Sequence, residues 1–121
     1  MSLPSVAVVD DDLRVLQIAT LEIEDCGYIV DSFSSPLEFL DSIHAFKPSL
    51  VLLDLMMPEM NGLECLQRLS TGILKSPVLM FTSIDEEQFR KQALDLGATA
   101  YFLKSELLAS PCTIIQRYMK A

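Results

Sequence analysis

Five short apolar runs, each followed by a stretch of helical period, leave this chain few possible architectures. The runs are Val6 to Val9, Tyr28 to Phe33, Leu50 to Leu53, Val78 to Phe81 and Ala100 to Leu103. A strand reaches a parallel neighbour only through a crossover of a dozen or more residues, which is usually a helix. Alternation of this kind therefore predicts a parallel sheet with helices on both faces. Leu50 to Leu53 and Val78 to Phe81 are apolar throughout, as strands buried on both faces must be, whereas Tyr28 to Phe33 is mixed and suits an edge. With 121 residues, 50% of them apolar, the chain can enclose one core, so residues 1–121 read as a single α/β domain.

The helices follow from local signals. Leu13, Leu16, Ile18, Leu21 and Ile23 give the first its apolar side, and Gly27 stops it. Ser35-Pro36-Leu37-Glu38 starts the second, with a capping serine, a proline in the first turn and a glutamate three residues after the cap; Lys47-Pro48 closes it. A third helix is expected from about Gly62 to Leu69 and a fourth from about Asp85 to Leu96, with Gly97 after it. Ser110-Pro111 marks the start of a last helix of about three turns that runs to the C-terminus.

A carboxylate beside buried surface must be paired, bound to a metal or neutralised, and Asp54 ends an apolar run. In open α/β sheets ligands bind beyond the carboxyl ends of the strands, near the point where strand order reverses. The residues after the runs are Asp10, Asp11 and Asp12, then Asp54, then Thr82 and Ser83, then Lys104. Carboxylates converging on one point repel unless a divalent cation lies among them, and an all-oxygen set suits Mg²⁺ or Mn²⁺. A lysine and a hydroxyl opposite the metal suit an anion with several oxygens, and phosphoryl transfer needs little more. Asp54, singly placed, is the candidate nucleophile. Asp12 is expected to cap the first helix, and Asp10 and Asp11 are the better candidate ligands.

Composition removes other classes. A net charge of -8 argues against a nucleic-acid surface, which needs clustered Lys and Arg. No apolar run approaches the length of a bilayer span and no signal-peptide pattern precedes the first strand, so a cytoplasmic protein without membrane contact is expected. Cys26, Cys65 and Cys112 are odd in number and form no C-x-x-C pair; buried, reduced thiols are the expectation.

Taken together, the motifs resemble the receiver domain of two-component response regulators, over essentially the whole chain. Val8-Val9-Asp10-Asp11-Asp12 is similar to that family's acidic pair after the first strand. Leu53-Asp54-Leu55-Met56-Met57-Pro58, followed by Asn61-Gly62, is similar to the segment around its phosphorylated aspartate. Phe81-Thr82-Ser83, Leu96-Gly97-Ala98 and Tyr101-Phe102-Leu103-Lys104 supply the remaining hallmarks in order. The resemblance implies a flavodoxin-like, doubly wound five-stranded parallel sheet of order 2-1-3-4-5. It implies that Asp54 accepts a phosphoryl group from a phosphohistidine on a histidine kinase or histidine phosphotransfer protein. Asp11 and Asp54 would ligate Mg²⁺ (or Mn²⁺) with the backbone carbonyl of Met56, and Asp10 would act largely through water. Lys104 would pair with Asp54 at rest and with the phosphoryl group afterwards. Thr82 would hydrogen-bond a phosphoryl oxygen, and Tyr101 would turn inward as Thr82 moves. The domain would then signal to an output domain or downstream protein through the face of the fourth helix, fifth strand and last helix, with a phosphorylation-dependent homodimer left open. It would turn over no metabolite.

Some positions depart from that pattern. Ser105 stands where the family usually has a proline in a cis peptide, so the loop either bears a strained cis bond or relaxes to trans; trans is favoured, and it would shift Lys104 or the face of the fourth helix, fifth strand and last helix. Met56 and Ile84, two beyond Asp54 and Thr82, are large and apolar and are expected to screen the acyl phosphate from water. His44 is expected to face solvent, and Met56, Met57 and Met60 to pack a loop rather than hold a soft metal. Two rival readings stay in play. One is a receiver-like binding module that is never phosphorylated. The other is an aspartyl-nucleophile phosphatase of the haloacid-dehalogenase-like kind, which wants a further acidic pair after the lysine, where the chain offers only Glu106.

Overall fold

The computed structural model describes residues 3–119. Five parallel strands, β1 (Ser5–Val9), β2 (Ile29–Phe33), β3 (Leu50–Leu53), β4 (Val78–Thr82) and β5 (Ala100–Leu103), form one sheet in the order β2-β1-β3-β4-β5. The expected order 2-1-3-4-5 is therefore observed. β1, β3 and β4 are buried along their length and β2 is the half-exposed edge that its mixed sequence predicts. Register fixes the ends that matter: Val9 pairs with Leu53, and Leu53 with Met80. Asp10 and Asp54 thus emerge side by side from neighbouring strands.

Among the described residues, six helices surround the sheet: α1 (Leu13–Glu24), α2 (Pro36–Ser42), α3 (Gly62–Leu69), α4 (Glu87–Asp95), α5 (Lys104–Ala109) and α6 (Pro111–Tyr118). One core, beneath α2, α3 and α4, joins Phe39, Cys65, Leu66 and Ala93 to Val9, Leu53 and Met80. The other, beneath α1, α5 and α6, joins Leu16, Ala19, Ile23, Leu107, Ile114 and Ile115 to Val8, Leu52 and Phe81. Asp12, Ser35 and Asn61 each accept a hydrogen bond from a backbone N–H in the first turn of the helix they cap, α1, α2 and α3 respectively.

Four expectations need correction. The inward side of α1 is Leu16, Ala19 and Ile23, whereas Leu13, Ile18 and Leu21 are exposed. Ile18 lies two residues from Leu16, roughly 200° around a helix of 3.6 residues per turn, so the two cannot share a face. α2 ends at Ser42, not near Lys47. The last helix is two. α5 starts directly after β5 and buries Leu107 fully; Ser110, which precedes Pro111 and is therefore disfavoured in the helical region, breaks the chain at φ -147° before α6. α6 ends at Tyr118, about two turns long; the expectation that it runs to the C-terminus falls on Lys120 and Ala121, outside the described residues. Finally, Cys26 and Cys112 are joined in a disulfide, with their Cα atoms 5.4 Å apart, and Cys65 alone is a free, buried thiol. Spacing in sequence gave no sign of this pair, because 86 residues separate partners that only the packing of α6 on α1 brings together. Among the described residues no helix is long and apolar enough to cross a membrane.

Candidate functional site

Sheet topology assembles the site: β1 and β3 are neighbours, β3 and β4 are neighbours, and the carboxyl ends of β1, β3, β4 and β5 lie along one edge. Asp10 is fully buried and Asp54 is 4% exposed, while Asp11 stands in solvent; one carboxylate oxygen from each of the three lies within 4.8 Å of the others. Lys104, in the first turn of α5, places Nζ 2.7 Å from Asp10 Oδ2 and 3.5 Å from Asp54 Oδ1. The ammonium also lies 5.7 Å from the centre of the Phe81 ring. Lys104 therefore bridges both buried carboxylates and sits nearer Asp10 than Asp54, its expected partner at rest.

The Lys104–Ser105 peptide is trans, as expected. Ser105 has a clear local effect. A proline there would push Lys104 out of the helical region, but with serine Lys104 becomes the first helical residue of α5. Glu106 Oε1 accepts the Leu103 N–H at 2.9 Å and holds that turn. Glu106 is thus spent on capping and is exposed, which leaves the phosphatase reading without its second acidic pair.

The backbone around Asp54 is fixed from several sides. Its N–H donates to Val9 O at 2.9 Å, and Oδ1 accepts the Leu55 N–H at 2.9 Å. Asp10 Oδ1 accepts the Asp12 N–H at 2.9 Å. Gly62, quoted in the motif but given no role there, is a residue whose function the sequence reading missed. Its N–H donates to Leu55 O at 2.7 Å, and a Cβ at this position would run into the carbonyl oxygen of Asp54. α3 can abut the Asp54 peptide only because position 62 lacks a side chain. Ser35 Oγ donates to Glu59 Oε1 at 2.7 Å, tying the α2 cap to the loop after β3.

Thr82 is buried at the end of β4, and its Oγ1 accepts the Ile84 N–H at 3.2 Å. Tyr101 lies inward, 3% exposed, and its hydroxyl donates to Ile84 O at 2.6 Å. The Arg90 guanidinium stacks over the Tyr101 ring at 5.1 Å. Met56 is 58% exposed beside the site, and Ile84 packs partly against the core under α4. His44 is exposed beyond the end of α2, as expected, and takes no part.

Electrostatics match this crowding. Burial, reinforced by the Asp10 charge, pushes the Asp54 carboxyl up to about 7, against the opposing pull of Lys104 and the Leu55 N–H. Burial alone would lower the Lys104 ammonium, but its hydrogen bond to Asp10 and the charges of Asp54 and Asp10 outweigh that and leave it raised. Burial likewise raises Tyr101, and drives the Cys65 thiol up to about 12, which makes it inert. Two buried carboxylates and a third within reach exceed what one lysine can balance. Asp10 Oδ2 takes the closer contact with Lys104, at 2.7 Å, which leaves Asp54 with the longer one. Three hard carboxylate oxygens within 4.8 Å of one another, with one ammonium shared between two of them, fit a divalent cation such as Mg²⁺.

Comparison with known proteins agrees with this geometry. The profile of the family described as "Response regulator receiver domain" matches residues 6–115. The alkaline phosphatase synthesis transcriptional regulatory protein PhoP of Bacillus subtilis is 35% identical over 99 residues, 82% of this chain and 41% of that protein. The response regulator MprA of Mycobacterium avium is 37% identical over 117 residues, 93% of this chain and 51% of that protein. The chain thus spans about half the length of the curated relatives it matches. The BeF3-activated N-terminal receiver domain of Klebsiella pneumoniae RstA shares the fold, with a TM-score of 0.89 at 24% identity, 97% of this chain and 99% of that one being covered.

Proposed function

The chain belongs to the response regulator receiver domain family, and on that premise we propose that it is a phosphorylatable switch of a two-component system whose phosphoacceptor is Asp54. The observation that carries this reading is a carboxylate 4% exposed at the end of β3, with two further carboxylates within 4.8 Å and an ammonium at 3.5 Å. Such a group is held ready to react at a site that compensates charge.

Asp10, Asp11 and Asp54, with the backbone carbonyl of Met56, are the residues that would hold Mg²⁺ (or Mn²⁺). Bound there, the ion would neutralise oxygens of the incoming phosphoryl group. The chain's own groups do the rest. An Asp54 carboxylate oxygen attacks the phosphorus of a phosphohistidine on a histidine kinase or phosphotransfer protein, in line with the P–N bond. As that bond breaks its electron pair returns to the imidazole nitrogen, which takes up a proton, and Asp54 is left as an acyl phosphate. Lys104 turns from the carboxylate to a phosphoryl oxygen, and the Thr82 hydroxyl donates to another. Thr82 releases the Ile84 N–H as it does so. Because Ile84 O also receives the Tyr101 hydroxyl, that movement reaches β5, and the output partner reads the altered α4–β5–α6 face. Residues 1–121 act in this account as one receiver unit, regulatory and without a metabolite to turn over.

The test is a backbone amide NMR spectrum with Mg²⁺ before and after beryllofluoride, beside the same experiment on Asp54→Asn. Shifts that need Asp54 and reach Thr82, Tyr101 and α6 are expected. A folded protein that shows none in the presence of Mg²⁺ would be a binding module instead.

A further inference from the structure

Cys26 and Cys112 join two helices that the phosphoacceptor account treats separately. Cys26 lies just beyond the end of α1, in the turn completed by Gly27 at φ 94°; Cys112 lies in the first turn of α6. The bridge is at the surface, with Cys112 exposed and Cys26 half-buried, whereas Cys65 is buried and its thiol inert. The three cysteines are therefore of two kinds.

Helix α6 has few holds besides this tie. An eight-residue helix is too short to persist by itself. Among the described residues, those of α6 make no side-chain hydrogen bond and no ion pair, and Ser110 gives the helix no side-chain cap. What holds it is the burial of Pro111, Ile114 and Ile115, the edge contact of Tyr118 with Phe102 on β5, and the disulfide. The reduced state also has a place in the fold. The Cys26 sulfur lies 3.2 Å from Glu22 O, so the free thiol can donate to a carbonyl in the last turn of α1. The sheet and both cores close without help from either sulfur.

We propose that Cys26 and Cys112 are a reversible thiol–disulfide modification site that clamps α6 to α1, giving the domain a redox input separate from Asp54. The chemistry is exchange with a low-molecular-weight disulfide. The exposed Cys112, as its thiolate, attacks one sulfur of the reagent and expels the first small thiol. Cys26 then attacks the Cys112 sulfur of the mixed disulfide and expels the second. The two electrons and two protons of the protein dithiol end on the two small thiols, and excess thiol drives the reverse. α1 begins immediately after the acidic loop and α6 touches β5, the strand bearing Tyr101, through Tyr118 and Phe102, so the bridge joins the far end of α1 to a helix packed beside the site's last strand.

The full chain is equilibrated in glutathione buffers from fully reduced to fully oxidised, acid-quenched, alkylated under denaturing conditions and mapped by peptide mass. A Cys26–Cys112 bridge with Cys65 alkylated, its fraction following the buffer ratio in both directions, is expected. Free Cys26 and Cys112 at every ratio, or a bridge untouched by thousandfold excess thiol, overturns the proposal. In the same buffers, NMR order parameters for residues 111–118 should fall on reduction, from about 0.85 towards 0.6, while those of β3 and β4 hold. Cys112→Ser should show the low values in either buffer. Equal order parameters in both redox states overturn the clamp. Repeating the titration in Asp54→Asn separates the two readings, since the redox response should survive there whatever becomes of the response to beryllofluoride.

Discussion

The two sides of the site are built differently. On the β1–β3 side, Asp10 and Asp54 leave adjacent buried strands, and α3 runs from Gly62 to Leu69, where the sequence places it. On the β5 side, the expected single last helix is two short ones, Lys104 is drawn into the first, and a disulfide pins the second. The first side is specified by neighbours in sequence: strand burial, an asparagine cap, a glycine at a close approach. The second is specified by contacts between residues far apart in the chain. A side fixed by local signals should fail when one residue changes, and a side fixed by distant contacts should fail when a tie is cut.

The largest effect should come from cutting that tie. The disulfide closes a segment of 86 residues, and the chain-entropy account of such a loop gives about 4.6 kcal/mol of stabilisation. Reduction, or Cys112→Ser, should lower the urea midpoint accordingly with the sheet intact; an unchanged midpoint would show that α6 docks without help.

Next is the charge at the end of β3. Asp54 has a folded pKa near 7 against an ordinary 3.8, so the native state holds its proton more tightly than the unfolded chain. Its contribution to stability therefore falls as pH rises from about 4 to 7 and stays unfavourable above that. Without metal, Asp54→Asn should stabilise the protein at pH 8 by on the order of 2 to 3 kcal/mol and have little effect at pH 4. Mg²⁺ should stabilise wild type more at pH 8 than at pH 6, because the carboxylate must shed its proton to bind it. Equal gains from Asp54→Asn at both pH values would contradict the account of the site's electrostatics.

Gly62→Ala should cost about 2 kcal/mol, since the added Cβ meets backbone that cannot move without shifting Asp54. It should also weaken the beryllofluoride response more than that loss of stability accounts for. Ser105→Pro is the mildest, at about 1 kcal/mol, because it forces Lys104 from helical geometry and loosens the first turn of α5. An NMR signature confined to α5 would sharpen the contrast between the sides, and disturbance reaching Asp10 would break it.

These contrasts account for what the sequence made legible. β3 and β5 are legible to the residue and α3 closely so, because period, caps and glycine act within a few positions. Asp10, Asp11, Asp54, Thr82 and Lys104 were readable as a set because parallel topology brings the ends of alternate runs to one edge. The inward face of α1 is not legible from apolar residues alone, because Ile18 and Leu21 point away from the side that Leu16 and Ile23 share. The Cys26–Cys112 pair and the preference of Lys104 for Asp10 arise only once α1, α5 and α6 are packed on one face, and no local pattern announces such contacts. Gly62 could have been found: a glycine following a capping asparagine, at the first position of a helix, marks a place where the backbone is approached closely.

The most direct test of the central claim is to incubate the protein with a small-molecule phosphodonor and Mg²⁺, then locate the added group by intact and peptide mass. The account predicts one acid-stable, hydroxylamine-labile phosphoryl group on Asp54, absent from Asp54→Asn and lost when Mg²⁺ is chelated beforehand. Incorporation elsewhere, or none into a folded, Mg²⁺-loaded protein, would contradict it.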